Sequence, residues 1–445
     1  MLKKSGGFLC VILIFMLISG CAWSDTSSLS PIPQDNKQES ILQGTVYDAS
    51  MNSITIITDT FETYTFSTLN NKDLVQSKNG IVVGYPVIIH YVGSIDNCTS
   101  IMVMDYSNCT VEEQAHHRMM VMSLEEKVGQ MFIVRCPEKD SVADIPDFHL
   151  GGYILFARDF QDKTKEDIIH TIQSYQEVSA IPMIIGVDEE GGSVNRISLY
   201  SSFRDTPFQS PQQLFREGGW ERIKSDTVEK SRLLKELGIN VNLAPVCDVS
   251  EDSSDYIYSR SFGKNSEQTA LYVRNVVSSM QGENVGCVLK HFPGYGNNRD
   301  THTGIAYDYR PYSVFESSDF LPFKAGIDVG AGAVLVSHNI VSCMDANMPA
   351  SLSLNVHRIL RERLNFKGVI MTDDLYMDAI KQFIDKNKAA VYAVLAGNDM
   401  LCCTDFEIQI PAVIEAVKNE TISITMINEA VERILVWKMN IGILS

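Results

Sequence analysis

The sequence predicts an α/β protein: a (β/α)8 TIM-like barrel preceded by a small antiparallel β domain. Two observations lead to this fold class. From residue 120 to residue 445, eight short apolar runs alternate with amphipathic stretches of helical period, as in a parallel barrel. From residue 41 to residue 107, apolar and polar side chains alternate between turn signals, as in half-buried strands. A doubly wound open sheet is the alternative, but no Gly-rich dinucleotide or phosphate loop favours it.

Length and charge limit the possible function classes. The chain has 445 residues and a formal net charge of −18, and this length is ample for one large and one small domain. A protein that binds nucleic acid presents a basic surface, and no basic run interrupts the acidic balance here. We therefore expect no nucleic-acid partner.

The first 20 residues have the features of an export signal. Lys3 and Lys4 form a positive n-region, and the apolar segment from Phe8 to Ile18 is too short to favour a membrane span. The Leu-Ile-Ser-Gly-Cys sequence that ends at Cys21 resembles the lipobox of bacterial lipoproteins, which implies cleavage before this cysteine and lipidation of its thiol. An ordinary secretory signal with a chance cysteine is the alternative.

Residues 21–40 are rich in Ser, Pro, Gln and Asp, a composition that predicts a flexible tether. The signal, the cysteine and the tether together predict an exported protein that a lipid holds at the cell membrane, facing away from the cytoplasm. The lipid anchor would be its link to the membrane.

The predicted β domain, residues 41–107, carries no cluster of side chains typical of catalysis, and we interpret it as a spacer or a wall-binding module. Cys98 and Cys109 flank its last strand and could form a disulfide in an oxidising compartment. The five predicted strands are Gly44–Tyr47, Ser53–Ile57, Thr63–Phe66, Pro86–His90 and Ser100–Met104.

The predicted barrel domain, residues 120–445, follows a linker helix near Val111 to Met122. Its predicted strands are Met131–Val134, Gly152–Phe156, Met183–Val187, Val241–Val246, Gly286–Leu289, Ala333–Val336, Gly368–Met371 and Met400–Cys403. The predicted helices between them include Lys165–Ser179, Trp220–Leu237, Asn265–Asn284, Val314–Asp328 and Asp378–Leu395.

Five of the predicted strands end in ionisable residues. Active sites of such barrels lie at the carboxyl ends of the strands, so these side chains are expected around one rim. They are Asp188, Glu189, Glu190, Asp248, Lys290, His291, His338, Asp373 and Asp374.

Three kinds of chemistry fit a ring of carboxylates, lysine and histidines. The usual sequence motifs of metal-dependent hydrolases are absent, because there is no His-x-His pair at a strand end and no HExxH helix. Schiff-base chemistry at Lys290 usually needs a desolvated lysine, and His291 and several carboxylates crowd this one. Glycoside cleavage needs one carboxylate nucleophile and one proton donor. Asp373 at a strand end fits the first role, and a loop histidine near neutral pKa fits the second.

Several motifs together resemble the β-N-acetylhexosaminidase branch of glycoside hydrolase family 3. The most specific are KHFPG-x-G from Lys290, D-x-H from Asp300 and TDDL-x-M from Thr372. The resemblance covers about residues 120 to 440 in family order. Further matches are LEEKVGQM from Leu124, LGG-x-ILF from Leu150, D-x-EGG from Asp188, N-x-APV-x-DV from Asn242, RSF from Arg260, PASLS from Pro349 and AGNDM from Ala396.

The resemblance implies a retaining exo-β-N-acetylglucosaminidase of the EC 3.2.1.52 type. It would cleave terminal N-acetylglucosamine from peptidoglycan-derived or chitin-like oligosaccharides through a covalent glycosyl-aspartate. Asp373 would be the nucleophile, His302 the acid/base and Asp300 the partner of that histidine. No metal or other cofactor is expected, and we expect a monomer. The implied substrate-binding residues are Asp188, Arg260, Lys290 and His291.

Other residues near the rim have less specific roles. We expect Asp374 to support a neighbour, and Asp248 to pair with Arg260 or with a backbone amide. His338 either lines the pocket or packs at its rim. The sequence departs from the family pattern at Glu189, Ser193, Asn195 and Tyr295, which puts substrate detail in doubt.

Three alternative functions remain. One is another family 3 β-glycosidase, a β-glucosidase or β-xylosidase, although these relatives take their acid/base from elsewhere than a D-x-H loop. Another is an N-acetylglucosamine phosphorylase, in which phosphate replaces water. The third is a non-catalytic surface lipoprotein that binds glycans, which predicts binding without turnover.

Overall fold

The computed structural model describes residues 39–68, 75–78, 80–96, 98–106, 109–298 and 304–445. The predicted signal, Cys21 and most of the predicted tether lie outside this part of the chain, as do Asp300 and His302. No helix in the described ranges combines the length and the apolar character that crossing a membrane requires.

The N-terminal sheet has six strands: β1 (Glu39–Ala49), β2 (Ser53–Ile57), β3 (Thr63–Ser67), β4 (Val75–Ser77), β5 (Pro86–Val92) and β6 (Cys98–Val103). Their order is β3-β2-β1-β5-β6-β4, and all neighbours are antiparallel except β4 and β6. Strand β1 includes the last two residues of the predicted tether. Strand β4 was not predicted, because three residues are too few to show alternation. Cys98 and Cys109 are free thiols, so the disulfide considered above is not formed.

A helix and a polar contact connect this sheet to the rest of the molecule. Helix α1 (Val111–Met120) begins with a capping box. On it, His117 Nδ1 lies 2.7 Å from Thr45 Oγ1 of β1. The neighbouring His116 bridges Asp59 of the sheet domain, at 3.3 Å, and Glu432 of the barrel, at 2.7 Å. The sheet also has its own core, which includes Val46, Ile54, Ile56, Ile89 and Ile101.

Ten further strands follow: β7 (Phe132–Arg135), β8 (Gly152–Leu155), β9 (Ile184–Val187), β10 (Val241–Asn242), β11 (Gly286–Phe292), β12 (Tyr307–Asp308), β13 (Ala333–Val336), β14 (Ile340–Val341), β15 (Val369–Thr372) and β16 (Leu401–Cys403). Eight of them form one parallel sheet, in the order β15-β13-β11-β10-β9-β8-β7-β16. A parallel bridge between Met371 and Met400 joins the two ends. All eight predicted strands are present, and the predicted fold class is confirmed.

The barrel helices are α2 (Leu124–Gln130), α3 (Asp144–Phe148), α4 (Ala157–Phe160), α5 (Lys165–Val178), α6 (Pro211–Glu236), α7 (Ser266–Gly282), α8 (Tyr312–Val314), α9 (Phe320–Asp328), α10 (Leu354–Arg358), α11 (Asp378–Lys381), α12 (Ala389–Ala396), α13 (Phe406–Lys418) and α14 (Ile424–Asn440). Segments Phe315–Asp319 and Ile359–Arg363 are π-helical, and Ala350–Leu352 and Lys386–Lys388 are 3-10 turns.

Two helix predictions differ from the structure. The single helix predicted over Asp378–Leu395 is wrong, because the segment is divided into α11, a 3-10 turn and α12. The side chain of Asp385 accepts a hydrogen bond from the amide of Asn387 and so begins a new turn. Helix α6 starts nine residues earlier than predicted, at Pro211, and is kinked at Gly218 and Gly219.

Two buried lysines lie near the amino ends of the barrel strands. Lys438 on α14 donates to Gln130 Oε1 at 2.6 Å, and Gln130 stands two residues before β7. Lys127 on α2 donates to Asn428 Oδ1 at 2.9 Å. Neither amine is paired with a carboxylate in the described part of the chain. Burial lowers the pKa of Lys438 to about 7 and that of Lys127 to about 8.

Candidate active site

A cavity of about 480 Å³ opens at the carboxyl ends of the barrel strands. Because the strands are parallel, the residues that follow them all meet at this face. Five residues predicted from the sequence line it together. They are Asp188, Arg260, Lys290, His291 and Asp373.

A network of ion pairs forms one side of the cavity. Lys290 Nζ lies 2.6 Å from Asp188 Oδ1 and 2.6 Å from Glu190 Oε1. Arg260 holds the same Glu190 with two hydrogen bonds, from Nη2 to Oε1 at 2.7 Å and from Nε to Oε2 at 3.0 Å. Such a bidentate pair fixes both orientation and distance.

The pairing determines the ionisation of these groups. Burial alone disfavours the charged form of Glu190, but the charges of Lys290 and Arg260 outweigh this effect and hold the pKa of its carboxyl well below its usual range. Burial likewise opposes the charge on Lys290, and Asp188 and Glu190 overcome it, so the pKa of its amine is raised. Glu190 and Lys290 are therefore both charged at neutral pH.

Asp248 orients His291. Its Oδ2 lies 2.7 Å from His291 Nδ1, and its Oδ1 accepts the amide of Tyr295 at 2.7 Å. On the other side of the ring, Nε2 is 3.2 Å from Arg260 Nη2. A guanidinium nitrogen only donates, so Nε2 is the acceptor and Nδ1 carries the hydrogen. Asp248 thus binds backbone amides, as considered from the sequence, and pairs with His291 instead of Arg260.

Asp373 and Asp374 directly follow β15, and their surroundings differ. Asp373 faces the cavity, and its Oδ1 accepts the amide of Asp374 at 2.9 Å. Asp374 accepts from the Thr404 hydroxyl at 2.6 Å and from the Tyr376 amide at 2.9 Å, and burial raises the pKa of its carboxyl. His338 Nε2 lies 3.0 Å from the carbonyl oxygen of Asp374. Both Asp374 and His338 therefore support the backbone beside Asp373.

Glu189, one of the departures from the family pattern, fixes the loop after β9. Its Oε2 accepts the amides of Arg196 and Ile197, each at 2.8 Å, and its Oε1 accepts the amide of Ser198 at 3.3 Å and the Ser198 hydroxyl. Gly191 in this loop has a φ of 99°, and a Cβ there would collide with the carbonyl oxygen of Gln209. These contacts fix the backbone conformation of the loop where it leads back to the cavity.

Two further residues of the cavity were not proposed as site residues from the sequence. Glu190 was expected at the rim after its strand but was given no role, although it stands two residues after Asp188 and the period of two of an extended chain places both on one side. Arg135 directly follows the predicted strand Met131–Val134, and this position at a strand end is the sequence feature that could have identified it as a cavity residue.

Asp300 and His302 belong to the segment outside the described residues, and the residues flanking it are anchored. Asn298 Nδ2 donates to Asp308 Oδ2 at 3.0 Å. Arg310 donates from Nη2 to Asp308 Oδ2 at 2.8 Å and from Nη1 to Asp319 Oδ1 at 3.0 Å. Within the described ranges, no three His, Cys, Asp or Glu side chains are grouped to hold a metal ion.

A parallel barrel with a charged polar cavity and an aspartate after one strand is the architecture of a barrel enzyme, and glycoside cleavage is one of the reactions it fits. The sequence profile of the glycosyl hydrolase family 3 N terminal domain matches residues 123–436. The chain therefore belongs to glycosyl hydrolase family 3.

Individual relatives agree with this assignment. A protein named beta-hexosaminidase from Nitrosomonas eutropha is 31% identical over 266 residues, which cover 58% of this chain and 74% of that protein. The solved family 3 beta-N-acetylglucosaminidase from Paenibacillus sp. str. FPU-7 has a TM-score of 0.67 and 28% identity, over 72% of this chain and 63% of that chain. A solved glycosyl hydrolase of the same family from Mycobacterium smegmatis has a TM-score of 0.63 and 27% identity, over 72% of this chain and 98% of that chain.

Proposed function

We propose that this protein is a retaining exo-β-N-acetylglucosaminidase, which releases terminal N-acetylglucosamine from peptidoglycan-derived or chitin-like oligosaccharides. The observation that carries the proposal is the shared cavity of Asp373 and the charged network of Asp188, Glu190, Lys290 and Arg260. The network offers donors and acceptors for sugar hydroxyls, and Asp373 offers a carboxylate for the anomeric carbon. The names of the relatives support the choice of N-acetylglucosamine.

In the first step of the proposed reaction, a carboxylate oxygen of Asp373 attacks the anomeric carbon. The bond from this carbon to the glycosidic oxygen breaks, and the protonated imidazole of His302 gives its proton to that oxygen. The products are a covalent glycosyl-Asp373 and the free alcohol of the leaving sugar.

In the second step, the now neutral His302 takes a proton from water, and the water oxygen attacks the anomeric carbon. The bond to Asp373 breaks, which restores the carboxylate and gives a product of the original configuration. Asp300 holds the imidazole in its proposed orientation and stabilises its charged form.

Substrate binding is assigned to Asp188, Arg260, Lys290 and His291. Asp188 accepts from a sugar hydroxyl, and Lys290 and Arg260 donate. These side chains already hold one another at 2.6 to 3.2 Å, so their polar atoms are in place before a sugar enters. Fixed polar groups discriminate well, because an analogue that lacks a hydroxyl leaves one of them unpaired.

We also propose that the protein is exported and lipid-anchored through Cys21, and that it acts as a monomer outside the cytoplasm. Labelling of expressing cells with a fatty-acid analogue tests the anchor. Wild-type protein is expected to carry the label in the membrane fraction, and Cys21→Ser is expected to lose it. Label on the Cys21→Ser protein would exclude this anchor.

The enzymatic proposal is tested with chromogenic β-N-acetylglucosaminide and β-glucoside. Wild-type protein is expected to hydrolyse the first and not the second, and NMR of the initial product is expected to show the β-anomer. Asp373→Asn should lower kcat by about a thousandfold or more, because it removes the nucleophile. The control is Asp328→Asn, which changes an exposed carboxylate paired with Lys324.

Near-normal turnover by Asp373→Asn would exclude the proposed nucleophile, and an initial α-anomer would exclude retention. Binding of the sugar by wild-type protein without turnover would instead identify a glycan-binding protein.

A further inference from the structure

One wall of the cavity carries two arginines outside the close ion pairs that Lys290 and Arg260 form. Arg135 is the last residue of β7, and Arg196 lies in the loop that follows β9. Phe156 follows β8, between them in the order of the sheet. All three line the same cavity as Asp188 and Asp373.

The two guanidinium groups lie against one aromatic ring. The Cζ atom of Arg135 is 4.6 Å from the centre of the Phe156 ring, and that of Arg196 is 5.7 Å from it. Contact with an aromatic face stabilises a guanidinium without using its hydrogen-bond donors. The stacking therefore positions both cations. Of their donors, Nη1 of Arg196 is already used by the carbonyl oxygen of Asn195, at 3.3 Å.

Their hydrogen bonding in the described part of the chain is incomplete. The Nε atoms of Arg135 and Arg196 are buried, and neither has a hydrogen-bond partner there. The carboxylate that Arg196 approaches is Asp188, at 3.8 Å, and Asp188 is already bound by Lys290 at 2.6 Å. No carboxylate within the described ranges lies 4.0 Å or less from Arg135. A buried donor without an acceptor is unfavourable, so an acceptor is expected here on binding.

Two cations at this wall lie outside the closely paired charges of the cavity. Asp188 and Glu190 are matched by Lys290 and Arg260. Arg135 and Arg196 are not part of this pairing, and the carboxylates of Asp373 and Asp374 also line the cavity. Arginine binds carboxylate and phosphate oxygens through paired donors, and such contacts are stronger than those between neutral groups.

We propose that Arg135, Phe156 and Arg196 form a subsite for an oxyanion, a phosphate or carboxylate group, carried by the sugar that binds Asp188. The inference rests on the proposed function, because it takes a sugar as the occupant of this cavity. Arg196 lies 3.8 Å from Asp188. An anionic group bound to Arg196 would therefore be a substituent close to the sugar hydroxyl that donates to Asp188. Free inorganic phosphate has the same chemistry, and the experiment separates the two sources.

The test compares a neutral chromogenic N-acetylglucosaminide with its 6-phosphate and with its 3-O-lactyl, carboxylate-bearing analogue. The full chain is expected to prefer one of the charged substrates. Arg135→Gln should lower the ratio of kcat/KM for that substrate to kcat/KM for the neutral one by about tenfold. Arg135→Lys should lower it less, because it keeps the charge and loses the planar group.

Arg232→Gln is the control that matches the change in charge. Arg232 pairs with Glu283 on the outer surface, and its side chain is largely exposed, so this variant should keep the wild-type ratio. Thermal denaturation of each variant verifies that it is folded. A wild-type preference for the neutral substrate, or an unchanged ratio in folded Arg135→Gln, would overturn the subsite.

A calorimetric measurement gives a second readout that needs no turnover. N-acetylglucosamine, its 6-phosphate and inorganic phosphate are titrated into wild-type protein and Arg135→Gln. Tighter binding of the sugar phosphate than of the neutral sugar, lost in the variant, supports the substrate-borne anion. Inorganic phosphate that binds in an Arg135-dependent way and competes with the sugar phosphate identifies the free ion as an occupant.

The two proposals fail separately. If neither the neutral nor a charged substrate is cleaved and the sugar phosphate still binds through Arg135, the enzymatic proposal is wrong and the subsite stands. If the neutral substrate is cleaved and no ligand depends on Arg135, the subsite alone is wrong.

Discussion

The two ends of the barrel carry cavities of similar size and different chemistry. The cavity at the carboxyl ends measures about 480 Å³, and one at the amino ends, lined by Gly286, Gly332 and Trp437, measures about 470 Å³. Volume therefore does not identify the active site. The residues around each cavity do, because a network of buried, mutually paired charges lies at the carboxyl end.

Two lysines show the difference most clearly. Lys290 at the carboxyl end is 2% exposed, and Lys438 near the amino end is 0% exposed. Burial disfavours the charge on both amines. Lys290 has two carboxylates at 2.6 Å and a raised pKa, whereas Lys438 has one amide oxygen and a pKa lowered to about 7. A buried amine is thus paired with carboxylates at one end and packed without a carboxylate partner, among the described residues, at the other.

The largest effect that tests this comparison is expected from Lys290→Met. The change leaves the partly exposed Asp188 and the buried Glu190 beside each other without their shared cation. We expect kcat/KM to fall by about a hundredfold or more, because the sugar site loses both a donor and its geometry. Lys438→Met is the matched control and should keep wild-type activity. Equal activities of the two variants would contradict the distinction between the two ends.

A smaller effect is expected from Asp248→Asn. The neutral amide no longer selects the Nδ1–H form of His291, so we expect kcat/KM to fall by about tenfold. Nitrogen NMR should show one tautomer of His291 in wild-type protein and a mixture in the variant. Asp345→Asn is the control, because Asp345 binds the Ser353 hydroxyl and the Asn347 amide away from the cavity. A single unchanged tautomer in Asp248→Asn would show that Asp248 does not set it.

The smallest effect concerns stability and pH. Between about pH 7 and 10.5, unfolded protein holds a proton on Lys438 that folded protein has released, so the free energy of unfolding rises with pH in this window. Below about pH 7, the buried charge lowers stability by a constant amount.

Lys438→Met removes this dependence. Relative to wild-type protein, its Tm should be highest at pH 7 and should lose a few °C of that advantage by pH 9. Lys224→Met, at a half-exposed lysine paired with Glu221, should show no such trend. A Tm difference for Lys438→Met that does not change with pH would mean that Lys438 stays charged in the folded protein.

The strands of the barrel could be predicted because their signal is local. Each is a short apolar run, and parallel pairing then brings the polar residues after the runs to one face, which located Asp188, Lys290, His291 and Asp373. The partners of Arg260 and Asp248 could not be predicted. Those contacts join residues 70 and 43 positions apart, and they depend on how loops fold over the strand ends.

The break in the helix predicted over Asp378–Leu395 has a similar cause. Its periodicity is helical, but one side-chain cap at Asp385 outweighs that preference. The position of Arg135 in the cavity was also missed, because a charged residue after a strand is common. Its relation to Phe156 and Arg196 depends on three neighbouring strands.

The carboxylate of Glu189 has a consequence for ligand affinity. By accepting three amides of the loop that carries Arg196, it restricts the backbone of that loop in the empty protein. When the loop is already restrained in the empty protein, it loses less conformational entropy on ligand binding than a mobile loop would lose. Weakening this contact, whose carboxylate does not line the cavity itself, would therefore reduce affinity mainly through entropy.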